Sequence, residues 1–148
     1  MVNQKNTVES INKWFTTAKP EPTNADVAAQ FAFFIEEVAE VFDATNDIDV
    51  ADYLRMVKQD YLTLAKSDHL EETLNGWDKV GLLDGLCDTA VTVNGVATYL
   101  GMDFPGALEH ISQSNWSKFD HEGKPILDDD GKITKGPNYF KPNLEPFV

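Results

Sequence analysis

A chain of 148 residues with 42% hydrophobic and 11% aromatic side chains has the size and composition of one globular domain, which sets disorder aside. Its 25 acidic against 12 basic side chains leave a formal charge of −13, which argues against general affinity for nucleic acid or an anionic membrane. The single cysteine, Cys87, excludes an internal disulfide and any multi-cysteine zinc site, and its apolar neighbours suit a small buried hydrophobe.

The charge is unevenly placed: residues 20–117 carry 18 acids against 4 bases, while residues 118–148 supply 5 of the 12 bases. A first helix is expected over Thr7–Ala18, with Val8, Ile11, Trp14 and Phe15 on one stripe, stopped by Lys19-Pro20-Glu21-Pro22. Met1 to Ser10 lacks the apolar run of a signal peptide. Asn24 is the expected N-cap of a second helix over Ala25–Ala44. Its apolar side is Phe31, Phe34, Ile35, Val38, Val41 and Phe42, and its acidic side is Glu36, Glu37, Glu40 and Asp43.

A polar loop leads to a third helix over Val50–Lys66, with Tyr53, Leu54, Val57, Tyr61 and Leu64 as its stripe. After a connector at Ser67–Gly76, a fourth helix is expected over Trp77–Leu100, ended by Gly101. The run Leu82–Leu100 is the most hydrophobic of the chain, but Asp84, Asp88 and Asn94 interrupt it, so it reads as a core helix and not a membrane span. A fifth helix over Phe104–Ser114 begins with Pro105 in its first turn. Beyond Asn115 the texture changes. Lys124-Pro125-Ile126-Leu127 and Lys132-Ile133-Thr134 flank Asp128-Asp129-Asp130-Gly131, a hairpin signal, and an aromatic tail follows. The expected architecture is all-α: a bundle of four to five helices with antiparallel long members over residues 1–114, and a C-terminal hairpin and extended tail over 115–148 packed on the same or a neighbouring subunit.

Two acidic stretches carry the chemistry. Glu36, Glu37 and Glu40 stand within one turn and can converge on one side, where a divalent cation offsets their repulsion. Asp84 and Asp88 stand four apart on a helix that is apolar nearly all round, as interior helices are. Unpaired carboxylates there cost several kcal/mol each. Basic partners are scarce: Lys79 is the only one near, and Arg55 is the sole arginine. All-oxygen ligation of Mg²⁺ or Mn²⁺ is the economical answer, with hydrogen bonds to helix ends or polar side chains as the alternative. Glu-x-x-His, an EF-hand loop, a phosphate loop and a Gly-x-Ser-x-Gly elbow are all absent, so Asp128–Asp130 reads as turn chemistry.

Glu36-Glu37-Val38-Ala39-Glu40 resembles the Glu-Glu-x-x-Glu motif of the all-α nucleoside triphosphate pyrophosphohydrolases, the MazG-like and phosphoribosyl-ATP pyrophosphohydrolase-like group. Leu82-Leu83-Asp84-Gly85-Leu86-Cys87-Asp88 is similar to its second acidic helix. Ser114-Asn115-Trp116-Ser117-Lys118-Phe119, Gly123-Lys124-Pro125 and Lys135-Gly136-Pro137-Asn138-Tyr139 resemble a subgroup frequent in bacteriophages. The likeness covers about residues 25–142. It departs from the family where Gly81 and Gly85 stand three before each aspartate, so Asp88 matches the family aspartate and Asp84 would replace a missing glutamate.

The resemblance implies hydrolysis of a (deoxy)nucleoside triphosphate, purine first and dGTP among the candidates, to monophosphate and pyrophosphate. It implies Mg²⁺, with Mn²⁺ able to substitute, on Glu36, Glu37, Glu40, Asp84 and Asp88, with Glu36 or Glu37 accepting the proton of the attacking water. It further implies substrate contacts from Asn115, Lys118 and Lys135, with Trp116 or Tyr139 stacking on the base. For the lysines a solvated surface role is the alternative, and for Trp77 core packing. The implied setting is the cytoplasm of a bacterium or phage-infected host, away from nucleic acid and membrane. The implied assembly is a homodimer or homotetramer, an expectation shared by a fourth helix too apolar for one small bundle to cover. Two other readings stand beside this one: a non-catalytic acidic helical protein such as a DNA mimic, and the same fold acting on another phosphate ester such as phosphoribosyl-ATP.

Overall fold

The computed structural model describes residues 4–129 and 133–148. Among them the chain is all-helical, with no β-strand. The helices are α1 (Gln4–Ala18), α2 (Asn24–Ala44), α3 (Ile48–Leu64), α4 (Leu70–Asn75), α5 (Lys79–Tyr99) and α6 (Phe104–Trp116), and a 3-10 turn over Glu145–Phe147 closes the tail. The connector after α3 thus holds a short helix of its own. By its contacts the chain divides into two compact units: Pro22–Leu82, and the segment through Glu21 with Leu83–Val148.

In the first unit, α2 starts one residue earlier than expected, at Asn24, with Thr23 as its cap. Thr23 accepts the Asp26 amide at 3.3 Å and donates its own amide to Asp26 at 2.8 Å, a reciprocal capping box. Asn46, in the left-handed region at φ 63°, turns the chain, and α3 packs back along α2. The buried seam of α2 is Ala28, Ala32, Ile35 and Ala39, at alternating spacings of four and three, and Ala51 is its counterpart on α3. Small side chains let the two helix axes approach closely.

The expected aromatic stripe is therefore displaced: Val41 and Tyr53 are exposed, and Phe31 and Phe34 lie half-buried beside the seam. Phe31 gathers the end of the hairpin, stacking on Tyr61 with centroids 4.7 Å apart and meeting Phe34 at 5.9 Å and Trp77 at 5.4 Å. Trp77 takes the packing role of its two readings.

In the second unit, α1 meets α6 through Thr7, Ser10, Ile11 and Trp14, while Val8 and Phe15 are exposed, contrary to the expected stripe. The reason is polar. Trp14 Nε1 donates to the Asn115 carbonyl at 3.0 Å, Trp116 Nε1 donates to Ser10 Oγ at 2.9 Å, and Ser10 and Ser112 share a bond of 3.3 Å. Trp14 also stacks on buried Phe119, centroids 5.6 Å apart. Such rows of tryptophan donors and serine hydroxyls need this face, and hydropathy does not register them.

Gly101, at φ 80°, ends α5, with its amide bonded to Thr98 and that of Met102 to Ala97. Asp103 then caps α6, where Pro105 stands in the first turn as expected. The tail runs back along α6: Gly136 N–H reaches the Lys118 carbonyl at 3.0 Å, Ser114 Oγ donates to the Phe140 carbonyl at 2.8 Å, and Asp103 N–H reaches the Phe147 carbonyl at 2.8 Å. Asn143 N–H donates to His110 Nε2 at 3.2 Å, and the ring of His110 faces Phe140 and Phe147. Among the described residues the expected hairpin shows one antiparallel bridge, Leu127 with Ile133. Pro125 has no amide to extend it, and the turn residues 130–132 lie outside the described residues.

The largest departure is α5. None of its side chains is buried, Cys87 is exposed, and so are Asp84 and Asp88. A helix expected in the interior thus has only half-buried and exposed side chains. Among the described residues no helix is long and apolar enough to cross a membrane.

Gly136 is a position where only a missing side chain fits. A Cβ there would lie 2.6 Å from the Lys118 carbonyl oxygen and 2.9 Å from that of Phe119, both backbone atoms unable to swing aside. Gly136→Ala is expected to cost about 1–3 kcal/mol through displacement of the tail from α6. A thermal midpoint equal to that of the parent chain would show that the tail is not held there.

Candidate functional site

The α2–α3 hairpin sets the first acidic cluster. The alanine seam turns Glu36 toward α3, where Arg55 and Lys58 stand one turn apart. Glu36 Oε2 accepts Lys58 Nζ at 2.6 Å, and Oε1 accepts Arg55 Nε at 3.3 Å. Arg55 also forks onto Asp43 and lies 3.7 Å from Asp52. The Lys58 hydrogen bond, helped by Arg55, holds the Glu36 carboxyl below its ordinary range, and Arg55 does the same for Asp43. These two acids push the guanidinium upward, so it stays charged at every working pH. Glu37 and Glu40 are exposed on the same helix.

Asp84 and Asp88 stand on α5, in the other unit. Both are exposed, so they are solvated carboxylates and not buried charges in need of neutralisation, which corrects the premise that the helix interior forces a metal on them. Among the described residues, no group of three or more His, Cys, Asp or Glu side chains is gathered to hold a metal ion. The donor set itself is nonetheless all carboxylate oxygen, the chemistry that hard divalent cations take.

The tail residues do come together. Lys118 Nζ donates to Asn115 Oδ1 at 2.9 Å, Lys135 Nζ sits 4.8 Å from the centre of the Tyr139 ring, and the Gly136–Lys118 backbone bond ties the two pairs. Trp116 is committed inward, its N–H on Ser10 and its ring edge-on to Phe119 at 5.3 Å. A depression of about 480 Å³ at the α3–α4 junction, lined by Gln59, Leu62, Lys66 and His69 among others, contains none of the ten expected site residues.

The Arg55–Lys58 pair is what sequence reasoning missed. Its signal was available: the only arginine and a lysine at i, i+3 on the helix next to an acidic row. Comparison with models of protein families, with curated proteins and with solved structures finds no match for this chain.

A carboxyl whose folded pKa lies below its unfolded value contributes stability in full above the unfolded value and loses it as pH falls through the folded one. Glu36 and Asp43 therefore give a stabilisation that fades as acid is added below their unfolded values of 4.5 and 3.8. Arg55→Met should lower the thermal midpoint at neutral pH and flatten its fall between about pH 6 and pH 3, chiefly because Asp43 loses its main partner, while Lys58 still holds Glu36. Parallel curves for the two proteins would show that Arg55 does not hold these acids.

Proposed function

We propose that this chain is a Mg²⁺-dependent nucleoside triphosphate pyrophosphohydrolase that cleaves a (deoxy)nucleoside triphosphate to monophosphate and pyrophosphate, with purine substrates, dGTP among them, favoured. The observation that carries the reading is the acidic row of α2. Glu36, Glu37 and Glu40 lie within one turn of a well-formed helix, and Glu36 is anchored by Lys58 and Arg55. The resemblance of that row, of Asp84 to Asp88 and of the tail motifs to the all-α pyrophosphohydrolases supports it further.

The resemblance gives Glu36, Glu37 and Glu40 on one helix, and Asp84 and Asp88 on another, as the residues that would hold Mg²⁺, or Mn²⁺ in its place. When bound, the cation neutralises phosphate charge and lowers the pKa of a water. Glu36, kept anionic by two cations, suits a ligand better than a base, because a carboxylate with a lowered pKa takes up a proton poorly. Glu37 is then the acceptor of the water proton. Lys118 and Lys135 meet the phosphates, Asn115 the sugar, and Tyr139 stacks on the base more readily than Trp116, whose indole is engaged inside. The protein works as a homodimer or homotetramer in the cytoplasm of a bacterium or of a phage-infected cell.

One observation favours a second reading. A DNA mimic spreads its acids over exposed faces, and Asp84 and Asp88 are exposed. Purified protein incubated with each common (d)NTP and Mg²⁺ separates the two. Pyrophosphate and monophosphate are expected, with Glu40→Gln and Asp88→Asn each lowering turnover at least about 100-fold, the scale of losing one charge-stabilising group. Millimolar Mg²⁺ should raise the thermal midpoint of the parent chain and not of these variants. Orthophosphate and diphosphate as products would reject the reaction class. No turnover and no Mg²⁺ effect would favour the acidic binding protein.

A further inference from the structure

Beyond Tyr139, among the described residues, the C-terminal tail is fastened to α6 and its cap at three places. Phe140 is held by two serine hydroxyls: Ser114 Oγ donates to its carbonyl at 2.8 Å, and its amide donates to Ser117 Oγ at 3.2 Å. At the far end the Asp103 amide donates to the Phe147 carbonyl at 2.8 Å. Between them stands His110. Its ring lies 5.5 Å from that of Phe140 and 5.7 Å from that of Phe147, and its Nε2 accepts the Asn143 amide at 3.2 Å. Pro142 has no amide, so this N–H is the first that the tail offers beyond Lys141.

A ring nitrogen that accepts a hydrogen bond carries no proton, so the fastened ring is neutral, with its proton on Nδ1. A second proton would set N–H against N–H, and a backbone amide cannot turn round to offer an oxygen. The new charge also gains no paired acid. The charged residues of the elements about the ring are Asp103 and Glu109 on α6 and its cap, Lys141 and Glu145 on the tail, and Glu9 and Lys13 on α1. None of them forms an ion pair with it among the described residues. Asp103 is itself taken by the Gly106 amide. The phenylalanine faces attract a cation but supply no acceptor. The other two histidines lack this arrangement. His69 is exposed beside Glu72, which accommodates its charge, and His121 Nδ1 meets the Asn138 side-chain amide at 3.0 Å, a group that can rotate to present its oxygen.

We propose that His110 is a proton-operated latch on the C-terminal tail: neutral, it holds residues 141–147 against α6, and protonated, it lets them loosen. The sign follows from the geometry. The held state excludes the second proton, so the fastening is complete at neutral pH and is lost as pH falls through the imidazole range of about 8 to 5. Phe140 keeps its serine bonds, so the tail loosens from Lys141 onward and not as a whole. Tyr139 stands just before that point. That its base contact weakens with the latch rests on the proposed hydrolase, whereas the latch itself does not.

Amide hydrogen exchange on the intact chain, corrected for the intrinsic effect of pH, reads the latch without any activity. From about pH 7.5 to about pH 5.5 the protection of Asn143 should fall at least about tenfold, the factor of one unit in proton affinity. The interior of α6 should keep its protection. His110→Gln offers an oxygen that does not titrate, so its tail should stay fastened at both values, and His121→Gln should behave as the parent chain does. The nitrogen-15 resonances of the ring give a readout that needs no variant: at neutral pH His110 should carry its proton on Nδ1. Protection that does not change with pH, the same fall in His110→Gln, or a proton on Nε2 at neutral pH would each overturn the latch.

Discussion

The close approach of α2 to α3 is the constraint on which the acidic site depends. Ala28, Ala32, Ala39 and Ala51 are wholly buried along it. Helices that meet through methyl groups come near enough for Lys58 Nζ to reach Glu36 at 2.6 Å. A bulky seam would hold the axes apart, and the same cations would be left in solvent, where an ion pair contributes little. The spacing of the alanines thus decides which glutamate of the row meets Lys58 and Arg55. Glu36 is next to Ile35 on the seam's edge, whereas Glu37 lies a further 100° around the helix.

That pairing separates the roles of three residues that look alike in sequence. A carboxylate accepting two charge-assisted bonds is fixed in direction and held ionised, a good frame for a ligand and a poor one for proton uptake. Glu37 and Glu40 remain at the surface of the same turn. One helix therefore presents an acid oriented by α3 beside two exposed ones.

The helices other than α4 were legible in the sequence to within a few residues, because periodicity, capping residues and the Gly101 stop agree with one another. Which face each helix buries was less so. Hydropathy ranks Phe, Val and Tyr above Ala, yet Val41 and Tyr53 are exposed while alanines form the seam, since shape fit between helices counts small side chains as assets. On α1 the buried face is chosen by Ser10 and Trp14, whose hydrogen bonds to α6 outweigh the exposure of Val8 and Phe15. Of the candidate site, the acids were visible as a pattern, and their cationic partners were not, because Arg55 and Lys58 lie 19 and 22 residues from Glu36 and meet it only through the α2–α3 turn.

The fate of α5 shows how composition can be right about a helix and wrong about its setting. An apolar run with two aspartates reads as interior, and the inference that buried carboxylates need a cation follows from it. Within the chain Asp84 and Asp88 are exposed, so that inference loses its premise. What remains to be explained is the apolar surface and not the charge. Water against so many valines and leucines is unfavourable at about 25 cal/mol per Å². Any cation that Asp84 and Asp88 bind is held by their chemistry as oxygen donors, not forced on them by burial.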